Sequence, residues 1–119
     1  MKKIYFLKTC NSCQRILDGL KLDKSYLLQD IKTSPLTPSD LDHLKSLAGS
    51  YEALFSRRAK LYKDMGLKNE SLSEKDFRHY ILSHYTFLKR PVIVSGKDIF
   101  IGNSPKTVVE AQLFFSNER

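Results

Sequence analysis

Apolar and polar positions along this chain change period in a regular way. Ile4-Tyr5-Phe6-Leu7 is a short continuous apolar run of strand length, and Ile16, Leu17 and Leu20 recur behind it at helical spacing. Asp23-Lys24 marks a turn, after which Ser25-Tyr26-Leu27-Leu28-Gln29 reads as a second strand. Strand, helix of about ten residues and strand make a β-α-β unit, whose strands run parallel through a right-handed crossover. A loop dense in turn residues, Thr33 to Asp40, follows. Within it Thr37, with Asp40 three residues on and Pro38 at the first helical position, is a helix start of the capping-box kind. Leu41, Leu44 and Leu47 give that helix its apolar stripe, and Gly49 ends it.

From Tyr51 to about Tyr85 the pattern stays helical. Leu54-Phe55 and Leu61-Tyr62 predict short helices interrupted near Ser56-Arg57-Arg58. Ser73, with Asp76 at the third position after it, starts another, which places Phe77, Tyr80, Ile81 and His84 on one face. Val92-Ile93-Val94 is a β-branched strand, Ser95-Gly96-Lys97-Asp98 a hairpin turn, and Ile99-Phe100-Ile101 the antiparallel return. Gly102-Asn103 then leads into a helix capped by Ser104 with Pro105 at its first position. Val108, Val109, Leu113 and Phe114 are its expected packing face, and Phe115 to Arg119 are expected to fray. The order β-α-β, helical block, β-β-α is that of an α/β thioredoxin-like fold. Its mixed sheet is split by an all-helical insertion over about residues 37–86, within a single domain of residues 1–119.

Composition narrows the picture. Hydrophobic content of 41% with 28% charged residues is globular, not disordered. No apolar run approaches the roughly 20 residues that span a bilayer. The four apolar residues after Lys2-Lys3 are too few for a signal-peptide core. Two cysteines in a reactive spacing and no export signal point to a reducing cytoplasm. The net charge of +7 is compatible with nucleic acid, small anions or an acidic partner. Its cations are dispersed, however, and no aromatic–basic interleaving is present, so most of the charge reads as solvated surface.

The candidate chemistry lies in Lys8-Thr9-Cys10-Asn11-Ser12-Cys13-Gln14-Arg15, where the first strand gives way to the first helix. A C-x-x-C pair in that context is a redox signature. A thiolate at a helix N-terminus faces unpaired backbone N–H groups and the positive end of the helix dipole, both of which favour its charged form. Cys10 occupies the N-cap position and is the expected nucleophile. Cys13, one turn on and more buried, is the expected resolving thiol. The N–H groups of Asn11, Ser12 and Cys13 can cradle a tetrahedral oxyanion. The competing reading is a pair of inert cysteines at a helix start. A zinc site lacks a second ligand pair, and His43, His79 and His84 do not fall at finger spacing. His43 and His79 are expected to face solvent, and His84 to sit at the core's edge.

Cys10-Asn11-Ser12-Cys13, Ala53-Leu54-Phe55-Ser56-Arg57-Arg58, Tyr62-Lys63-Asp64-Met65-Gly66-Leu67, Leu88-Lys89-Arg90-Pro91-Val92-Ile93-Val94 and Gly102-Asn103-Ser104-Pro105 follow one another in order. As a set they resemble the arsenate reductase (ArsC) family and its Spx relatives over essentially the whole chain. The resemblance implies that Cys10 attacks arsenate or a related oxyanion or disulfide. Glutathione with glutaredoxin, or thioredoxin, then serves as reductant, with no metal or organic cofactor bound. It makes Arg90 an oxyanion ligand and thiolate stabiliser, a role suited to a planar, permanently charged guanidinium. It makes Pro91 a cis proline beside Cys10. Arg57 and Arg58 compete for a second oxyanion contact, and Arg58 fits the Spx-like spacing to Tyr62 better.

A third arginine of the reductases has no counterpart, since Ile101-Gly102-Asn103-Ser104 stands in its place. Losing one of three cationic contacts weakens oxyanion binding by about 1.5–3 kcal/mol. Cys13 departs from single-cysteine enzymes and permits an internal disulfide. Two functions follow from the resemblance: a monomeric thiol-dependent oxidoreductase, or a Spx-type redox switch that docks on the C-terminal domain of the RNA polymerase α subunit. In the second, the docking glycine of Spx falls near Gly49-Ser50.

Overall fold

The computed structural model describes residues 1–117. In chain order the elements are β1 (Lys2–Phe6), α1 (Asn11–Leu20), β2 (Leu27–Asp30), α2 (Pro38–Ala48), α3 (Lys60–Asp64) and α4 (Glu74–Ser83). They are followed by β3 (Val92–Ser95), β4 (Asp98–Ile101) and α5 (Pro105–Asn117). The chain divides into two compact units: Met1–Ser34 with the chain from Arg90 onward, and Pro35–Lys89.

The first unit is a four-stranded mixed sheet in the order β2-β1-β3-β4. β1 runs parallel to β2 and antiparallel to β3, which in turn pairs antiparallel with β4. This is the thioredoxin-like architecture that the order of elements predicts. Register sorts the side chains. Ile4 lies opposite Ile93, which lies opposite Phe100, and all three join the core that α1 and α5 close. Cys13 and Leu20 enter that core from α1, and Ala111 and Phe115 enter it from α5. Tyr26 sits edge-on to Phe115, and its hydroxyl donates to the Ser95 hydroxyl at 3.0 Å, a buried polar pair.

Both early strands shift from their predicted bounds. β1 starts at Lys2 because backbone pairing, not apolarity, decides it: Lys2 and Lys3 face Ser95 and Val94 across the ladder. Leu7 leaves the ladder because its carbonyl accepts the Cys10 N–H at 2.9 Å, which opens the turn into α1. Ser25 and Tyr26 stay outside β2. The Ser25 N–H donates to Asp23 Oδ1 at 2.8 Å and its hydroxyl bonds the same oxygen, which holds the chain in a turn. The strand instead extends to Asp30, opposite Phe6. Leu27 and Leu28, on this edge strand, are 65% and 63% exposed.

The C-terminal helix corrects two expectations. Val109 and Leu113 are exposed, while Ala111 and Phe115 are buried. Val108, Ala111 and Phe115 lie three and four residues apart on one stripe, and 109 and 113 fall outside it. Phe115 does not fray. It is 4% exposed and its ring meets Tyr26, Phe100 and Phe114. Of the expected fraying tail, Glu118 and Arg119 lie outside the described residues. Ser104 caps α5 as expected, its hydroxyl accepting the Thr107 N–H.

The second unit is helical. Thr37 and Ser73 each form a complete capping box, with Asp40 and Asp76. Gly49 closes α2 at φ 95°, a left-handed conformation that glycine adopts without strain. Leu41, Leu44, Leu54, Phe55, Leu67, Phe77, Ile81 and Phe87 are buried in this unit. Phe55 stacks on Phe87 and tilts against Phe77. His84 departs from its expected place on the α4 face: it follows the helix, is exposed, and its Nδ1 accepts the Thr86 N–H. His43 and His79 are exposed.

Candidate thiol site

The site is built where β1 ends. Cys10 is the N-cap of α1 with extended backbone (φ −90°, ψ 109°), its carbonyl accepting the Gln14 N–H at 3.2 Å. The sulfur lies 3.2 Å from Ser12 Oγ. One turn along, Cys13 is fully buried among Ile4, Phe6 and Ile93. Both cysteines are thiols.

The two thiols ionise very differently. For Cys10, partial burial opposes the thiolate. The Ser12 hydroxyl, the Cys13 backbone N–H, the Cys13 thiol and the charge of Arg90 outweigh it, and Cys10 is lowered to about 7. For Cys13 burial dominates. A backbone contact at Leu7 and the charge of Arg90 work against it, but the adjacent Cys10 reinforces it and the thiol is pushed up to about 11. At neutral pH one sulfur is about half ionised and partly exposed at a helix start, and the other is protonated in the core.

Arg90 lies two residues before the start of β3, and the Arg90–Pro91 peptide is cis, as the resemblance implied. Pro91 is buried, and its carbonyl accepts the Gly102 N–H at 2.9 Å, which ties the proline loop to the β4–α5 turn. Asn11 is the exposed first residue of α1. Thus Cys10, Asn11, Ser12, Cys13, Arg90 and Pro91 all belong to the sheet unit. Arg57 and Arg58 belong to the helical unit. Arg57 is paired with Glu52 at 2.8 Å and lies over the Phe77 ring at 5.4 Å. Arg58 is exposed in the turn before α3.

Asn103 is the site residue that sequence reasoning missed. Its Nδ2 donates to Ser12 Oγ at 3.3 Å, so a residue 91 positions away touches the group that touches the sulfur. The available signal was its place in Gly102-Asn103-Ser104-Pro105, where an arginine was sought and not found. Among the described residues, no three His, Cys, Asp or Glu side chains gather as a metal-ligand set. No described helix is long and apolar enough to cross a membrane.

An activatable thiol at the N-terminus of the first helix, in a β-α-β/β-β-α sheet with a cis-proline loop, defines a thioredoxin-fold thiol protein. Within that class the chain belongs to the ArsC family, whose sequence model matches residues 5–111. It is 30% identical over 104 residues to the global transcriptional regulator Spx of Streptococcus pneumoniae, covering 86% of this chain and 78% of that protein. It is 26% identical to the protein YfgD of Escherichia coli, covering 91% and 93% of the two chains. Its fold is similar to that of an arsenate reductase from Vibrio cholerae, with TM-score 0.76 and 20% identity over 92% of this chain and 96% of that one.

Proposed function

We propose that this protein is a cytoplasmic, monomeric thiol oxidoreductase of the ArsC family, its 119 residues acting as one domain. In this reading Cys10 is the nucleophile and Cys13 the resolving thiol. The observation that carries it is the placement of the two sulfurs on one turn of helix: Cys10 partly exposed at the N-cap, 3.2 Å from the Ser12 hydroxyl, and Cys13 fully buried behind it, which lowers the first thiol to about 7 and pushes the second up to about 11. A half-ionised, accessible sulfur attacks, and a protonated, buried one waits.

With a glutathione-type disulfide, the Cys10 thiolate attacks one sulfur, forming a mixed disulfide and expelling the other sulfur as a thiolate. Cys13 then gives up its proton and attacks the Cys10 sulfur, and the second substrate thiolate leaves. The substrate has gained two electrons, and the protein holds a Cys10–Cys13 disulfide. With arsenate, Cys10 displaces an oxygen as water to form a thio-arsenate ester. Attack on the Cys10 sulfur leaves the electron pair on arsenic, which departs as arsenite. Glutathione with glutaredoxin, or thioredoxin, returns the disulfide to two thiols. Arg90 and the N–H groups of Asn11 and Ser12 hold the oxyanion, with Pro91 shaping the loop.

A second reading is a redox switch of the Spx type, docking on the RNA polymerase α subunit. The 30% identity to a transcriptional regulator over 86% of the chain favours it. NADPH oxidation with arsenate or a small disulfide, coupled through each reductant system, separates the two. Turnover by wild type that is lost in Cys10→Ser supports the enzyme. Absent turnover, with a Cys10–Cys13 disulfide still forming under mild oxidant, overturns the enzyme in favour of the switch.

A further inference from the structure

We infer that Asn103 is a positioning residue for the reactive thiol: by donating to Ser12 it turns the Ser12 hydroxyl proton toward Cys10. The inference rests on the reading of Cys10 as nucleophile and adds a residue to it from the far end of the chain. The geometry is a two-bond relay, Asn103 Nδ2 to Ser12 Oγ at 3.3 Å and Ser12 Oγ to Cys10 Sγ at 3.2 Å. A serine hydroxyl carries one proton and two lone pairs, and the proton rotates to suit its partners. By distance alone, either Ser12 or Cys10 could donate in the second bond.

Asn103 settles the direction. An amide NH₂ only donates, so one Ser12 lone pair is occupied, and the hydroxyl proton is free for the remaining neighbour, the Cys10 sulfur. A thiolate is an acceptor with no proton of its own, so this orientation favours the ionised form over the thiol. Ser12 is also the foremost of the groups that lower Cys10. The support comes from the β4–α5 turn, where the Gly102 N–H is held by the Pro91 carbonyl at 2.9 Å and the Ser104 hydroxyl caps α5. These contacts hold the backbone on either side of the exposed Asn103.

The test is the pH dependence of Cys10 alkylation by iodoacetamide in the full chain, read by mass spectrometry. Ser12→Ala is expected to raise the midpoint by about one unit, a roughly tenfold loss of thiolate below it. Asn103→Ala, which frees the Ser12 rotor, is expected to raise it by about 0.3–0.5 units, a two- to threefold loss. Asn103→Asp keeps the shape but accepts instead of donating. It draws the Ser12 proton away and also brings a negative charge toward the sulfur, so its shift is expected to be at least that of Ser12→Ala, and only the part that vanishes in the Ser12→Ala background runs through Ser12. In the Ser12→Ala background, Asn103→Ala is expected to add nothing, because its effect runs through Ser12.

A wild-type midpoint near 8.5 overturns the reading of Cys10 itself. A low wild-type midpoint that Asn103→Ala leaves in place, with an Asn103→Asp shift no larger with Ser12 present than without it, overturns this inference alone. So does an Asn103→Ala shift that persists without Ser12, since a merely structural role would produce that. Asn103→Asp, isosteric with the native side chain but charged, keeps the test open if alanine loosens the turn when it is read as the difference between its shifts with and without Ser12.

Discussion

At neutral pH the native protein should alkylate at one cysteine and the unfolded chain at two. With Cys10 at about 7 and Cys13 at about 11, roughly half of the first and about one part in ten thousand of the second are thiolate at pH 7. That is a ratio near 5,000 in reactive species. It is offset by intrinsic nucleophilicity, which rises with pKa with a slope of about 0.4–0.5, or about 40–100-fold over four units. The net preference for Cys10 is therefore on the order of 100-fold. The complete burial of Cys13 can only widen it. Against an unfolded cysteine, near 8.5 and about 3% ionised at pH 7, Cys10 gains about 15-fold in thiolate and loses about fivefold in nucleophilicity, a net gain of about threefold. Timed labelling with iodoacetamide, followed by peptide mass spectrometry with and without urea, measures all three rates. Native Cys13 reacting within tenfold of Cys10 would refute the reasoning, as would Cys10 labelling more slowly than the unfolded chain.

Three further outcomes are expected. Arg90 is the last of the groups lowering Cys10, so Arg90→Ala should move its alkylation midpoint less than Ser12→Ala does. The same variant should cut turnover of an oxyanion substrate by roughly 10- to 100-fold through loss of a charge-assisted contact, and equal small effects on both would remove Arg90 from the substrate. Phe115→Ala should cost about 3–5 kcal/mol in urea unfolding, as for a buried aromatic, and a loss below about 1 kcal/mol would mean a frayed end after all. Asp42 is lowered to about 2 by Arg78 and Tyr51, so its contribution to stability is present above the ordinary carboxylate range and lost as pH falls through about 2. The stability gap between wild type and Asp42→Asn should close over that interval, and a gap that stays constant from pH 7 to pH 2 would contradict the assignment.

The parts of the fold that declared themselves in the sequence are those set by local chemistry. Thr37 with Asp40, Ser73 with Asp76, Ser104 with Pro105, and the Ser95–Asp98 turn each carry their own hydrogen-bonding instructions, and the structure follows them. The errors fall where tertiary context decides. Val109 and Leu113 look like core residues until Phe115, only two places from the described end, is found anchoring the stripe that excludes them. Lys2 and Lys3 look like flanks until cross-strand pairing draws them into β1. At the site, Cys10 and Cys13 were legible because a strand end, a helix start and a spacing of three coincide within eight residues. Asn103 was not, since no local pattern announces an asparagine whose partner lies 91 residues back.

The N-cap position of Cys10 has a consequence for the helix as well as for the sulfur. Whatever stabilisation α1 gives the thiolate, the thiolate returns to α1, because a coupling between charge and dipole has no preferred direction. The Cys10 sulfur is the side chain at this N-cap and interacts with the Cys13 N–H, so its anion compensates the first free N–H groups of the helix. Each time Cys10 is alkylated, joined to a substrate or oxidised, that charge disappears and the opening turn loses about 0.3–1 kcal/mol of support. Amide exchange at Asn11, Ser12 and Cys13 would then quicken by about two- to fivefold. The chemical state of one sulfur would be written into the breathing of a helix end, where a passing partner can read it.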